Sequence, residues 1–248
     1  MSLDTPASIA IIGAGPVGVE AALYARYLGY DVVLLEFDTV GSALRRWGDH
    51  ALPVTFGEMA SSLGVSALTA QDSASELPAA DAALTGNEFL HVYLEPLAKS
   101  DLIADSLRCH VRVTSVTLGE PENLEFEVDE DDGPYDDESL SQERPTFNVA
   151  IVSDDGGPNE SLVVNAVIDA RGRAPQSGGP GGACAARPSD DLYGAELDSH
   201  AGSLVIRLGA VTDDQPGLTS FRMSDGFSQI RAAFATLGGR PNLDLYRV

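Results

Sequence analysis

An α/β fold with a parallel sheet at its centre is predicted by three observations. They are a strand-turn-helix-strand unit over 8–36, closely spaced strand signals between 110 and 170, and a closing strand and helix over 203–238. The first unit is the most informative. Ser8-Ile-Ala-Ile-Ile12 is a short apolar run, and Gly13, Gly15 and Gly18 follow it with the spacing G-x-G-x-x-G. A strand ending at Ile12 must turn sharply at Gly13, let a pyrophosphate approach the backbone at Gly15, and pack helix against strand at Gly18. Pro16 and Val17 lead into the helix, whose free N–H groups face the phosphates.

The residues that follow strengthen this reading. A helix is predicted over 17–29, with Val17, Ala21, Tyr24, Ala25 and Leu28 on one face and Gly29 as its stop. A second strand, Asp31 to Leu35, ends in Glu36. An acid about twenty residues beyond the glycines can accept hydrogen bonds from both hydroxyls of an adenosine ribose. An adenine dinucleotide is the expected ligand, and Glu36 argues against NADP, whose 2′-phosphate would meet a like charge. Phe37 to Trp47 then form a loop entering a short helix, whose amides at Ser42, Ala43 and Leu44 continue the pyrophosphate site. Trp47 and Phe56 pack either on the cofactor or in the core.

Residues 48–87 read as irregular, interrupted by Pro53, Gly57, Gly64 and Pro78, and a helical pattern broken by Pro96 covers 88–106. Strands are predicted at 110–118, 124–128, 146–153 and 162–170, close enough for antiparallel hairpins, and a last strand at 203–208. The last helix runs from an N-cap at Ser224 to Leu237, with Gly238 as its stop.

The net charge is −23, with Lys99 and fourteen arginines against 38 acids. Such a surface repels nucleic acid and anionic membranes. Twelve of the acids lie between Glu120 and Glu143, so 129–142 is expected to be a solvated loop or hairpin tip. With no apolar run of spanning length and no leader pattern, a cytoplasmic protein is the expectation. Cys109 and Cys184 form no C-x-x-C pair, which removes a dithiol centre and a zinc knuckle. A disulfide between them stays open. No metal site is expected; His50 and His91 are isolated, and Asp213-Asp214 reads as a solvated turn.

Gly13 to Gly18 with Glu36, Leu44-Arg45-Arg46-Trp47-Gly48, the segment Tyr93 to Leu102, and Gln229-Ile230-Arg231 through Leu243 to Tyr246 resemble FAD-dependent pyridine nucleotide-disulfide oxidoreductase-like proteins. The similarity is to their flavin-monooxygenase-like and thioredoxin-reductase-like branch. It implies a Rossmann-like FAD-binding domain with a central parallel sheet and a three-stranded antiparallel β-meander. Val167 to Gly172 is similar to the family's late strand beside FAD, with Arg171 replacing the usual threonine. The implied FAD contacts then include Phe37, Val113, Ala170, Arg171, Gly172, Gly209, Asp225 and Gly226. The implied domain is a single one, 1–248: βαβ 8–36, helical 42–106, meander 110–165, glycine-rich loop 174–202, closing strand and helix 203–238.

Family members carry a second Rossmann unit for NAD(P)H, whereas only 174–202 occupy that interval here. The expectation is an FAD flavoprotein without its own NAD(P)H domain, passing hydride or electrons through flavin N5 to a small-molecule substrate or a redox partner protein. No catalytic residue is identified, and a homodimer over the open face is an expectation. The alternatives are a non-catalytic FAD-binding relative and an NAD-binding protein.

Overall fold

The computed structural model describes residues 3–71, 76–125, 141–154, 156–171, 204–209 and 222–247. In chain order the first half contains β1 (Ser8–Ile12), α1 (Pro16–Tyr27), β2 (Asp31–Leu35), α2 (Ser42–Trp47), β3 (Ala51–Thr55), α3 (Phe56–Met59) and α4 (Ser62–Gln71). There follow β4 (Ala83–Thr85), α5 (Gly86–Phe89), a π-helical turn Leu90–Leu94, α6 (Glu95–Ala98), a 3-10 turn Ala104–Ser106 and β5 (Leu107–Arg108). The remaining elements are β6 (Val111–Leu118), β7 (Glu122–Glu125), β8 (Ser141–Arg144), β9 (Phe147–Ser153), β10 (Glu160–Val164), β11 (Ala166–Asp169), β12 (Val205–Arg207) and α7 (Met223–Leu237).

β1 and β11 are apolar throughout their centres and buried, as expected of inner strands of a parallel sheet covered on both faces. The sheet runs β12-β11-β1-β2-β5 and every pairing is parallel. The chain moves out from β1 through β2 to β5, then returns on the opposite side through β11 to β12. That reversal opens a crevice at the carboxyl end of β1, where ligands of such sheets bind. A separate antiparallel sheet, β10-β9-β6, forms the meander.

Several local expectations are corrected. Residues 48–87 are not irregular: they hold a two-stranded ribbon, β3 with β4, and two helices. Pro53 is tolerated because that ribbon is narrow and edge-exposed, and Gly64 lies inside α4 because Tyr93 packs over it. The helical stretch expected over 88–106 is present as α5, the π-helical turn and α6 running on without a gap, but it ends at Ala98, two residues past Pro96, and only the separate 3-10 turn Ala104–Ser106 follows. The expected strand 162–170 is two strands in different sheets, separated at Asn165. There the Asn165 Oδ1 accepts from the Ser8 backbone N–H at 2.9 Å and Nδ2 donates to Glu122 at 3.2 Å, so one amide ties β1 of the parallel sheet to the first residue of β7. The expected strand 124–128 begins two residues earlier, at Glu122, and pairs with β8 as a hairpin inserted between β6 and β9. α7 is capped at Arg222 rather than Ser224, the Asp225 carboxylate accepting from the Arg222 N–H at 3.3 Å.

The core lies between the parallel sheet, α1 and α7. α1 is enclosed all round from Val17 to Ala25, Glu20 included. Tyr24 stacks on Phe234 of α7 with centroids 5.2 Å apart. The segment 243–246 closes over both helices: the Leu245 N–H donates to the Tyr24 hydroxyl at 3.1 Å, Asp244 pairs with Arg231 at 3.1 Å, and Ser62 Oγ donates to the Tyr246 carbonyl at 3.2 Å. Phe56, Phe89 and Tyr93 form a second aromatic cluster. Gly172, residues 129–140 of the expected acidic loop 129–142, the glycine-rich loop 174–202 with Cys184, and Asp213-Asp214 lie outside the described residues, while Ser141 and Gln142 open β8. Among the described residues no helix is long and apolar enough to cross a membrane, and no group of three or more His, Cys, Asp or Glu could hold a metal.

Candidate dinucleotide site

The glycine turn closes on itself. Gly13 takes φ +104°, a conformation L side chains rarely adopt, and a Cβ there would stand 3.0 Å from the Ala170 carbonyl oxygen and the Arg171 Cα. Its N–H donates to the Leu35 carbonyl at 2.7 Å, tying the end of β1 to the end of β2. At Gly18 a Cβ would lie 1.8 Å from the Gly13 carbonyl oxygen, so the helix can cross the turn only because side chain is missing. Gly15 differs from both: it caps α1 with φ −77°, and a Cβ there meets nothing within 4 Å. Its missing side chain therefore leaves free space beside the first amides of α1, with Pro16 following directly.

Glu36, at the end of β2, is 9% exposed and held by two backbone amides. Oε2 accepts from the Ala14 N–H at 2.7 Å and Oε1 from the Asp38 N–H at 2.9 Å. A carboxylate offers about four lone-pair sites, so two remain for the hydroxyls of a ribose. The following residue, Phe37, is exposed and carries the Arg112 guanidinium over its ring at 4.1 Å from the centroid. Arg112 belongs to β6, as does the buried Val113, so the meander reaches the outer end of the site.

The remaining expected residues are placed as follows. The Gly41 N–H donates to the Ala14 carbonyl at 2.9 Å, which seats the start of α2, with Ser42, Ala43 and the buried Leu44, against the turn. Trp47 ends α2, with its indole N–H on the Ala51 carbonyl at 3.3 Å, and Phe56 is in the aromatic core. Ala170 extends β11, its N–H on the Ile12 carbonyl at 2.8 Å. Arg171 turns back on the buried Asp169 through two bonds, 2.8 and 2.6 Å. Gly209 lies two residues beyond β12, while Asp225 and Gly226 lie in the first turn of α7.

Three participants are absent from the sequence-based set: Asp169, Arg112 and Gln229. Gln229, midway along α7, holds the chain just beyond β12, accepting the Gly209 N–H on Oε1 at 2.6 Å and donating Nε2 to the Gly209 carbonyl at 3.3 Å. Gln229 is part of the stretch that carries the family resemblance, but its position inside a helix does not announce a contact with Gly209. Asp169 could have been read from an acid inside an apolar strand, followed two residues later by arginine. Cys109 is free and partly buried; burial first, then Glu36 and Asp38, push its thiol up, which makes it a poor nucleophile.

This combination fits a dinucleotide: two glycines the backbone needs, a third it does not, an anchored carboxylate with spare acceptors, and a helix N-terminus. None of the curated proteins compared with the chain matches it. Among solved structures, a bacillithiol disulfide reductase from Bacillus cereus is 18% identical, with TM-score 0.45 over 68% of this chain and 40% of its own. An oxidized steroid monooxygenase bound to NADP is 22% identical, with TM-score 0.44 over 68% of this chain and 26% of its own. The S-allyl-L-cysteine S-oxygenase from Allium sativum is 14% identical, with TM-score 0.46 over 69% and 37%. The chain thus spans well under half the length of each. The pyridine nucleotide-disulphide oxidoreductase family profile matches residues 10–140, more than half of the 248. The chain belongs to that family.

Proposed function

We propose that this chain binds FAD and is an oxidoreductase whose electrons arrive from outside its own fold. The observation that carries the reading is the free space at Gly15 beside the doubly anchored Glu36. The amides of Gly15, Val17 and Gly18 receive the pyrophosphate, Pro16 having no N–H to give, and Glu36 accepts the ribose hydroxyls. Phe37 and Arg112 offer a flat, cationic surface at the adenosine end. At the opposite end, α7 directs its N-terminal dipole, reinforced by Arg222 at the cap, toward the crevice. Asp225 is engaged with the Arg222 N–H, which limits its competition with an anion there.

Bound FAD would supply hydride or electron transfer at N5, while the protein supplies orientation and electrostatics. Fewer than forty residues separate Arg171 from β12, little more than one βαβ unit needs. This supports a chain without an NAD(P)H domain in that interval, reduced by direct nicotinamide docking or by a redox partner protein.

Anaerobic titration of the FAD-saturated protein with NADH and then NADPH tests the reading. Bleaching of the flavin bands within minutes shows direct hydride acceptance. A stable oxidised spectrum with both nucleotides leaves a separate electron donor or a non-catalytic binder. A protein that takes up no flavin at all removes the proposal.

A further inference from the structure

Gln229 spends both halves of its side-chain amide on one residue. Oε1 accepts the Gly209 N–H and Nε2 donates to the Gly209 carbonyl. Gly209 is buried and takes φ +89°, a conformation that favours glycine. One side chain thus satisfies both backbone groups of a buried residue that has already left the sheet.

This clamp ends a ladder of backbone bonds along the carboxyl edge of the parallel sheet. The Leu208 N–H donates to the Asp169 carbonyl at 2.8 Å, the Ala170 N–H to the Ile12 carbonyl at 2.8 Å, and the Gly13 N–H to the Leu35 carbonyl at 2.7 Å. β12 has three residues and is the outer strand on its side, so among the described residues the hydrogen bonds of Gly209 come from Gln229. Gln229 itself is firmly based: Ile230 and Phe234 of the same helix are fully buried, and Phe234 stacks on Tyr24 of α1.

The order of the strands says which part of a ligand Gly209 serves. Glu36 follows β2, on one side of the glycine turn at the end of β1, while β11 and β12 lie on the other side. A dinucleotide with its adenosine ribose on Glu36 and its pyrophosphate on the turn carries its second half toward Gly209.

We infer that Gln229 is a positioning residue for the half of the dinucleotide remote from adenosine: anchored in α7, it fixes the Gly209 peptide on the side of the turn where that half lies. The inference rests on the FAD reading for the identity of that half, the flavin. ADP stops at the pyrophosphate and needs only the turn and Glu36, whereas FAD extends to Gly209.

Dissociation constants for FAD and for ADP, measured by titration calorimetry on the folded protein, test the assignment. Gln229→Met keeps the length of the side chain and loses both bonds; it is expected to weaken FAD by about tenfold and to leave ADP within about twofold. A residue that merely braced the fold would not change the ratio of the two. Unchanged FAD affinity overturns the inference, as does an equal loss for ADP. If Gln229→Met does not fold, Gln229→Glu decides by the same ratio, since it keeps the acceptor for the Gly209 N–H and sets a carboxylate oxygen against the Gly209 carbonyl. A wild type that binds ADP but not FAD is a distinct result: it removes the FAD reading, and the role of Gln229 falls with it.

Discussion

The three glycines of the turn differ in what they tolerate. Gly13 and Gly18 are demanded by the protein itself, through a positive φ and a backbone crossing. Gly15 is in a conformation open to any residue and has empty space where a side chain would go. Gly15→Val should therefore leave the melting temperature nearly unchanged while abolishing FAD uptake, measured as flavin absorbance per protein. Retained flavin would remove the turn from the site. Glu36→Gln is expected to behave differently, because its amide NH₂ would face either the Ala14 or the Asp38 N–H, donor against donor. A loss of roughly 1–3 kcal/mol in stability is expected, read by chemical denaturation of the flavin-free protein, together with weaker FAD binding. The spacing of Gly13, Gly15, Gly18 and Glu36 was legible in the sequence because a strand, a turn and a helix fix it locally. The two amides holding Glu36 come from folding the loops back upon it, and no spacing records that.

At the level of elements, the strands were read well where β-branched runs stood alone and poorly where two runs met. Val164 and Ala166 belong to different sheets, and only Asn165 marks the change. Residues 48–87 were misread because Pro53 and Gly64 look like breakers in isolation. Yet the Thr-x-x-Glu pairs Thr55/Glu58 and Thr85/Glu88, each with a Thr N–H on the glutamate at 2.8 and 2.7 Å, announce helix starts in the sequence. Gly64 belongs in α4 because a Cβ there would stand 2.0 Å from the Tyr93 hydroxyl oxygen. Gly64→Ala should cost about 1–3 kcal/mol by overpacking. Tyr93→Phe in the same chain removes that atom, so the double variant should be less destabilised than the sum of the singles. Strict additivity in a denaturation cycle would mean that α4 moves aside instead.

The whole molecule combines an acid excess with two opposite responses to pH. Glu20, raised to about 7 by burial from an ordinary 4.5, contributes stability fully below 4.5 and loses it as pH rises to 7, on the order of 3 kcal/mol. Glu95 and Asp244 go the other way. Burial pushes each up, but Arg45, Lys99 and His91 outweigh it at Glu95, and Arg231, the Tyr246 N–H and Arg247 outweigh it at Asp244, so both carboxyls are held low. Their contribution is present above the unfolded value and disappears as pH falls through the lowered one. With −23 charges also repelling one another at neutrality, the melting temperature should peak on the acidic side, near pH 5, and fall toward pH 8. Calorimetry across pH 4–8 at fixed ionic strength measures this, and a maximum above pH 7 would contradict it. At pH 7.5, added KCl should raise the melting temperature by screening.

The β7–β8 hairpin interrupts the meander in sequence but not in space. Leu118 of β6 still faces Phe147 of β9, and the Gly119 N–H still reaches the Thr146 carbonyl at 2.7 Å, as though nothing had been added between them. At the far end, Glu125 faces Ser141, so an Asn-Gly turn could join them in place of 126–140. The shortened chain should fold and take up FAD as before, with eight fewer acids. In evolutionary terms such a position is a permissive graft point. A lineage can lengthen, shorten or recharge the segment there without renegotiating a single pairing of the sheet that carries it.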